Sequence, residues 1–134
     1  MDVSGGMLLW GTMDAARPRI LVAEDDAAIR DLVSDVLEAT DYTVVTAEDG
    51  SEALSIARSQ SFDLILIDLN MPRVDGETFC RTYRERGGST PVILLTAATV
   101  EDAAAAVETC GAVAYIPKPF DLDELLDIVA THVP

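Results

Sequence analysis

The sequence has few positive charges, few aromatic residues and only two cysteines. Nine lysines and arginines stand against 24 acidic residues, which gives a net charge of −15 at neutral pH. This charge would repel the phosphate backbone of a nucleic acid. The apolar runs are also much shorter than the ~20 residues that a membrane-spanning helix needs. We therefore expect neither direct nucleic-acid binding nor a membrane-spanning segment.

The cysteines, Cys80 and Cys110, are too few and too far apart for a zinc site. Both fall on the apolar side of helical patterns, so we predict reduced thiols in the core and a cytoplasmic protein. An apolar fraction of 49% with 25% charged residues is typical of a globular protein. The 134 residues support one domain without disulfides or a structural metal.

The chain divides into a short leading segment and a regular remainder. Residues 1–18 carry two adjacent glycines, three of the four methionines and no periodicity, so we predict a flexible N-terminal extension. Residues 19–134 form the predicted domain, in which five apolar runs alternate with five helical patterns. Asp26 suits the N-cap of the first helix, Gly87-Gly88 stops the third helix and Gly111 ends the fourth. The second strand fits residues 42–47, and the third begins at Asp63. Apolar residues spaced by three and four positions predict the buried helix faces. These are Ile29, Leu32, Val33, Val36 and Leu37; Ala53, Ile56 and Ala57; Phe79 and Tyr83; Ala103, Ala106, Val107 and Cys110; and Leu122, Leu125, Leu126, Val129 and Ala130.

The apolar runs are rich in valine, isoleucine and leucine, which is typical of strands that are buried on both faces of a parallel sheet. Strand–helix repeats joined by short loops imply right-handed crossovers. Five such units are too few for an eight-unit barrel. We therefore predict an α/β fold: a flavodoxin-like, doubly wound (βα)5 domain with a five-stranded parallel sheet in the order 2-1-3-4-5.

Four of the apolar runs end on polar residues that suit phosphoryl chemistry, namely Glu24 with Asp25, Asp68, Thr96 and Lys118. The carboxyl ends of parallel strands meet at one edge of the sheet, where α/β proteins bind ligands. The predicted strand order also places Glu24 and Asp25 beside Asp68. Three neighbouring carboxylates repel one another and so either raise their pKa values or require a cation. Mg²⁺ meets that requirement with carboxylate, water and phosphate ligands.

Each of these residues has an ordinary explanation when it is taken alone. Acidic residues favour helix N-termini, and an aspartate after a strand often begins a turn. A threonine that closes a strand is common, and a single lysine usually lies at the surface. Lys118 is nevertheless the only lysine of the chain, and it lies between Pro117 and Pro119, which restrict the backbone and aim the side chain. A cis bond before Pro119 would fix it further.

Residues 19–133 resemble the receiver domain of two-component response regulators, such as the single-domain chemotaxis regulator. The resemblance lies in ILVAEDD at 20–26, DLNMP at 68–72 with Gly76 downstream, Thr96-Ala97, and YIPKPF at 115–120. It implies that Asp68 is the phosphoacceptor. It also implies that Mg²⁺ is held by the carboxylates of Asp25 and Asp68 and by the backbone carbonyl of Asn70, with Glu24 acting mainly through a bound water.

The same resemblance assigns roles to the remaining site residues. Thr96 would hydrogen-bond the phosphoryl group, Lys118 would pair with it, and Tyr115 would change rotamer with the state of Thr96. Core packing is the alternative role for Tyr115. The family more often has aspartate in place of Glu24. The extra methylene either brings this carboxylate to direct coordination or loosens metal binding.

The resemblance further implies a signalling domain rather than an enzyme with turnover. The donor would be a phosphohistidine on a sensor histidine kinase or phosphotransfer protein, and phosphorylation would switch a face made by helix 4, strand 5 and helix 5. Between residues 91 and 134 the only certain positive charge is Lys118, against seven acidic residues. We expect a neutral or basic protein partner at that face, and a monomer or weak dimer.

Three other functions compete with this interpretation. A pseudo-receiver would keep the fold and bind proteins without being phosphorylated. A phosphatase with an aspartyl nucleophile usually has a second acid two residues later, where this chain has Asn70. A flavin electron carrier needs a loop rich in hydroxyls and glycine after the first strand, where Glu24 and Asp25 would repel the phosphate.

Overall fold

A computed structural model describes residues 17–133 of the chain. The predicted N-terminal extension therefore lies, except for its last two residues, outside the described residues. Strands and helices alternate through the described part. They are β1 Arg19–Ala23, α1 Ala27–Ala39, β2 Thr43–Ala47, α2 Gly50–Ser59, β3 Leu64–Asp68, α3 Gly76–Glu85, β4 Val92–Thr96, α4 Val100–Cys110, β5 Ala114–Pro117 and α5 Leu122–His132.

The five strands form one parallel sheet in the order β2-β1-β3-β4-β5, which confirms the predicted fold. In the register, Ala23 at the end of β1 lies opposite Ile67 in β3, and Thr96 lies opposite Pro117 in β5. The carboxyl ends of these four strands therefore share one edge. The polar residues that follow the strands are brought together by this register.

Helices cover both faces of the sheet. On one face, Phe79 and Cys80 of α3 pack with residues of α2 and α4 against the sheet. On the other face, Val33 of α1 and Val129 of α5 pack in a second buried cluster. The strands β3 and β4 are buried along their whole length, as their continuous apolar sequences predict.

Each helix begins at a side chain that accepts a hydrogen bond from the first turn, the usual way to satisfy its free N–H groups. The caps are Asp26, as predicted, with Asp49, Asp75, Thr99 and Asp121. The ends of α3 and α4 are also as predicted. α4 stops at Gly111, whose φ of 67° is left-handed.

Two predicted inward residues are exposed, and these predictions are wrong. Leu32 of α1 is 46% exposed, and Ala130 of α5 is also exposed. In α1 the fully buried residues are Val33 and Leu37, and Leu32 lies about 100° around the helix from Val33. The sheet therefore contacts one side of the apolar stripe and leaves its other margin in solvent.

Two strands begin one residue later than predicted. β2 begins at Thr43 rather than Tyr42, and β3 begins at Leu64 rather than Asp63.

Both cysteines are free and buried, as predicted. Burial raises the pKa of the Cys80 thiol to about 12, so the thiol stays protonated at neutral pH. Among residues 17–133, no helix combines the length and apolarity needed to cross a membrane.

Candidate functional site

Three acidic side chains meet where β1 and β3 end. Glu24, Asp25 and Asp68 each offer a carboxylate oxygen, and these oxygens lie within 4.8 Å of one another. Glu24 and Asp68 are buried, whereas Asp25 is exposed. The cluster is thus closed by protein on one side and open to solvent on the other.

Lys118 supplies the positive charge of this cluster. Its Nζ lies 2.6 Å from Glu24 Oε1 and 2.9 Å from Asp68 Oδ2, and its side chain is only 17% exposed. The backbone N–H of Lys118 donates to the carbonyl of Thr96 at 2.8 Å, and the Lys118–Pro119 bond is cis. The loop after β5 therefore aims the lysine across the ends of β4 and β3 toward β1.

Burial dominates the protonation of Glu24. It raises the pKa of Glu24 to about 7, although the ammonium of Lys118 works in the opposite direction. Burial also disfavours the charge on Lys118, but its contacts with Glu24 and Asp68 outweigh burial and raise the pKa of Lys118. The lysine is charged at neutral pH, and Glu24 is poised between its two forms.

The donor set of the cluster suits a hard cation. Glu24 Oε2 accepts from the N–H of Asp26 at 3.2 Å, and the buried Oε1 is paired with the Lys118 ammonium. One ammonium does not balance three carboxylates, and Asp25 is exposed to solvent. Three carboxylate oxygens within 4.8 Å of one another, open to solvent on one side, fit Mg²⁺, which prefers oxygen ligands and keeps several waters.

Both oxygens of Asp68 are already oriented by the chain. Oδ2 accepts from Lys118 Nζ, and Oδ1 accepts from the backbone N–H of Asn70 at 3.0 Å. Asn70 itself is exposed and lies directly beside the acceptor carboxylate. The structure thus brings Glu24, Asp25, Asp68 and Lys118 into contact range and places Asn70 next to them.

Thr96 lies at the same edge, and Tyr115 lies two residues before the end of β5. Thr96 is fully buried at the end of β4, and its hydroxyl accepts from the N–H of Ala98 at 3.0 Å. Tyr115 is half-buried in β5, opposite Leu94, and packs against the core. A shallow surface depression of about 340 Å³, open to solvent, lies between Tyr115 and α4 and is lined in part by Val107. Tyr115 therefore packs on the core with one side toward solvent.

Two arginines near the site were missed by sequence reasoning. Arg30 donates to the backbone carbonyl of Glu24 at 2.9 Å, one turn into α1. Arg73 contacts Asp49 from the loop that follows β3. Arg73 is the only basic residue between Arg58 and Arg81, and this isolated charge is the sequence signal that could have identified it.

Comparison with known proteins agrees with this fold and identifies the family. The sequence model of the response regulator receiver domain matches residues 20–130. The response regulator MprA of Mycolicibacterium vanbaalenii is 42% identical over 108 residues, which cover 81% of this chain and 47% of MprA. MprA of Mycobacterium ulcerans is 43% identical over the same shares. The chain thus spans about half the length of the curated relatives it matches.

Solved structures give the same result. The chemotaxis protein CheY4 of Vibrio cholerae superposes with a TM-score of 0.83 at 33% identity, over 88% of this chain and 100% of CheY4. The response regulator TrrA of Thermotoga maritima, solved in complex with Mg²⁺-BeF, has a TM-score of 0.77 at 33% identity, over 87% of this chain and 99% of TrrA. The chain belongs to the receiver domains of two-component response regulators.

Proposed function

We propose that Asp68 accepts a phosphoryl group from a phosphohistidine on a sensor histidine kinase or phosphotransfer protein. The main support for this proposal is the environment of the Asp68 carboxylate. It is buried at the edge of the sheet, one oxygen accepts from Lys118, and the other accepts from the Asn70 N–H. A carboxylate fixed in this way is a preorganised nucleophile.

The reaction transfers a phosphoryl group from a histidine nitrogen of the donor to a carboxylate oxygen of Asp68. A carboxylate oxygen of Asp68 forms a bond to phosphorus as the bond from phosphorus to the donor nitrogen breaks, and the histidine leaves with that electron pair. The Lys118 ammonium stabilises the charge that the phosphoryl oxygens carry in the loose transition state. The chain itself contributes position and charge, so we propose a phosphoacceptor rather than an enzyme with turnover.

The acidic cluster would hold the metal that this transfer requires. Asp25 and Asp68, with the backbone carbonyl of Asn70, would bind Mg²⁺, and Glu24 would act mainly through a bound water. When bound, Mg²⁺ neutralises charge on the phosphoryl oxygens. The three carboxylate oxygens that lie within 4.8 Å of one another, with one ammonium among them, support this assignment.

Phosphorylation would be read at the face formed by α4, β5 and α5. The Thr96 hydroxyl would turn from the Ala98 N–H toward the phosphoryl group, and Tyr115 would move into the space beside Thr96. The two packings need to differ by only a few kcal/mol for this to act as a switch. Because α4 and α5 are acidic in their first turns, the partner would be a neutral or basic protein surface.

We assign this role to residues 19–134 as one domain that acts in the cytoplasm, as a monomer or weak dimer. The relatives it matches are about twice as long, and 47% of MprA is covered. The downstream target is therefore proposed only by its chemistry, a protein surface without excess negative charge. Nothing in the acidic surface favours direct contact with a nucleic acid.

Intact mass spectrometry after incubation with a small acyl phosphate and Mg²⁺ tests the proposal. Wild-type protein should gain one phosphoryl mass, and Asp68→Asn should gain none. Asp75→Asn is the matched control, because Asp75 is an exposed cap of α3 in the same loop and should still allow the gain. A wild-type protein without added mass would instead support the pseudo-receiver function.

A further inference from the structure

An ion pair joins the start of α2 to the loop that carries Asn70. Arg73 donates to Asp49 Oδ2 from both Nε, at 3.0 Å, and Nη2, at 2.7 Å. The Asp49 carboxylate is buried, with a side chain that is 8% exposed, whereas the Arg73 side chain is 71% exposed. Two N–H groups of Arg73 therefore hold one oxygen of this carboxylate from the solvent side.

The backbone of the same loop lies directly against α2. A Cβ atom added to Gly50 would come within 1.9 Å of the carbonyl oxygen of Val74. Residues 69–75, which we call the acceptor loop, therefore contact α2 through backbone at Val74 and through charge at Arg73.

The acceptor loop needs such a tether because its backbone is unusual. Arg73 has a φ of 67°, a left-handed conformation that is unfavourable for a residue with a side chain. The N–H of Val74 bonds to the carbonyl of Pro72, and the N–H of Gly76 bonds to that of Leu69. These turns bring the loop back on itself just after Asp68.

We propose that Asp49 and Arg73 are positioning residues for the acceptor loop, which they hold in the conformation that places Asn70 beside Asp68. The pair thereby sets the affinity of the acidic cluster for Mg²⁺, an inference that rests on the proposed function of that cluster. The Asp49 carboxyl has a lowered pKa, caused first by its bond to the Glu52 N–H and then by Arg73, so the carboxylate is charged at neutral pH.

The positioning role can be separated from the capping role of Asp49. Oδ1 accepts from the Glu52 N–H at 2.8 Å and caps α2, while Oδ2 receives Arg73. Asn in place of Asp49 keeps an oxygen for the cap and removes the charge. A change at Arg73 leaves the cap untouched. Loss of the pair should therefore alter the metal site more than it alters the stability of the fold.

Mg²⁺ titration calorimetry on the full chain tests the proposal. Arg73→Gln should bind Mg²⁺ roughly three- to tenfold more weakly, which is below the roughly 10–100-fold loss for direct partners of metal ligands because Arg73 acts through the loop backbone. Arg73→Lys keeps the charge and should retain most of the affinity. Arg73→Gly relieves the left-handed backbone, so its urea midpoint should not fall, yet its Mg²⁺ affinity should fall as in Arg73→Gln.

The controls decide between positioning and a general effect of charge. Arg81→Gln removes an exposed arginine of α3 and should leave Mg²⁺ affinity unchanged. The double variant Asp49→Asn with Arg73→Gln should bind Mg²⁺ no more weakly than either single variant, because each residue acts through the other. Hydrogen exchange at the Asn70 amide should accelerate in all variants that lose the pair.

Several results would overturn the proposal. They are an Arg73→Gln protein with wild-type Mg²⁺ affinity, additive losses in the double variant, or a wild type that binds no Mg²⁺. The phosphoacceptor proposal is decided independently by intact mass. A wild type that gains no phosphoryl mass, but whose Mg²⁺ affinity still falls in Arg73→Gln, would sink the proposed function and leave the positioning role standing.

Discussion

Glu24 is buried at a cost that depends on pH. Its folded pKa of about 7 lies above the ordinary value of 4.5. Between these values the folded protein keeps the proton that the unfolded chain has released, so stability falls as pH rises from about 4.5 to 7 and then levels off. For the metal-free protein we predict that Glu24 lowers the free energy of unfolding by on the order of 2 kcal/mol between pH 5 and 8.

Urea unfolding of wild type and Glu24→Gln across this range measures the effect, because other titrating groups cancel in the difference. Glu24→Gln should be the more stable protein at pH 8 and close to wild type at pH 5. It should also bind Mg²⁺ more weakly, since a neutral amide replaces a carboxylate. Parallel pH profiles of the two proteins would show that Glu24 does not carry the predicted titration.

Lys118 has two opposite effects on the same cluster. Its ammonium would stabilise the transferring phosphoryl group, but in the resting protein it competes with a metal for Glu24 and Asp68. We predict that Lys118→Met slows phosphorylation by an acyl phosphate about a hundredfold or more, as the loss of a charged donor in a buried site does. The same variant should bind Mg²⁺ more tightly.

Quenched-flow sampling followed by intact mass spectrometry gives the phosphorylation rate of Lys118→Met. Titration calorimetry gives its Mg²⁺ affinity. Lys118→Arg is the matched variant, because it keeps the charge while changing its shape. It should restore the wild-type metal affinity more fully than the rate. Weaker Mg²⁺ binding in Lys118→Met would contradict the competition that the short ion pairs imply.

At the scale of the elements, α2 is fixed to the acceptor loop by the absence of a side chain at Gly50. Gly50 is the first residue of α2, and alanine is the better helix former by up to about 1 kcal/mol in a helix interior. Here the added Cβ would meet the backbone carbonyl of Val74, which cannot rotate away. We predict that Gly50→Ala instead destabilises the protein by about 1–3 kcal/mol, the usual effect of overpacking.

Ser51→Ala is the control for Gly50→Ala, because Ser51 is the next residue of α2 and is exposed. It should change the urea midpoint little. If Gly50→Ala were as stable as Ser51→Ala, the claim that α2 lies too close to the acceptor loop for a side chain at position 50 would be contradicted. The Mg²⁺ affinity of Gly50→Ala should fall together with its stability, since the displaced loop carries Asn70.

How well each feature can be predicted from the sequence depends on whether neighbouring residues or distant ones determine it. Helix faces and caps follow from neighbouring residues, so Asp26 and Gly111 were predicted correctly. The Lys118–Asp68 contact spans 50 residues, yet it follows from strand order, because both residues end strands of one sheet. The exposure of Leu32 and the Asp49–Arg73 pair depend on how one helix is rotated or seated. Periodicity does not carry that information.

At the scale of the whole molecule, the charge distribution works against the fold. A net charge of −15 makes the compact state repel itself, and the acidic cluster concentrates part of that charge at one edge. Two cations relieve this repulsion in different ways. Monovalent salt screens all the charges over a Debye length of about 10 Å at 0.1 M. A bound Mg²⁺ acts only at the cluster.

These two effects are separable by one pair of titrations. NaCl should raise the urea midpoint of wild type and of Asp25→Asn alike, since screening does not depend on one carboxylate. MgCl₂ at equal ionic strength should stabilise wild type further, by about 2.7 kcal/mol at a concentration roughly a hundredfold above Kd. Asp25→Asn should lose most of this additional gain. An equal gain from MgCl₂ in both proteins would mean that Mg²⁺ only screens, and that the carboxylates of β1 and β3 do not form a metal site.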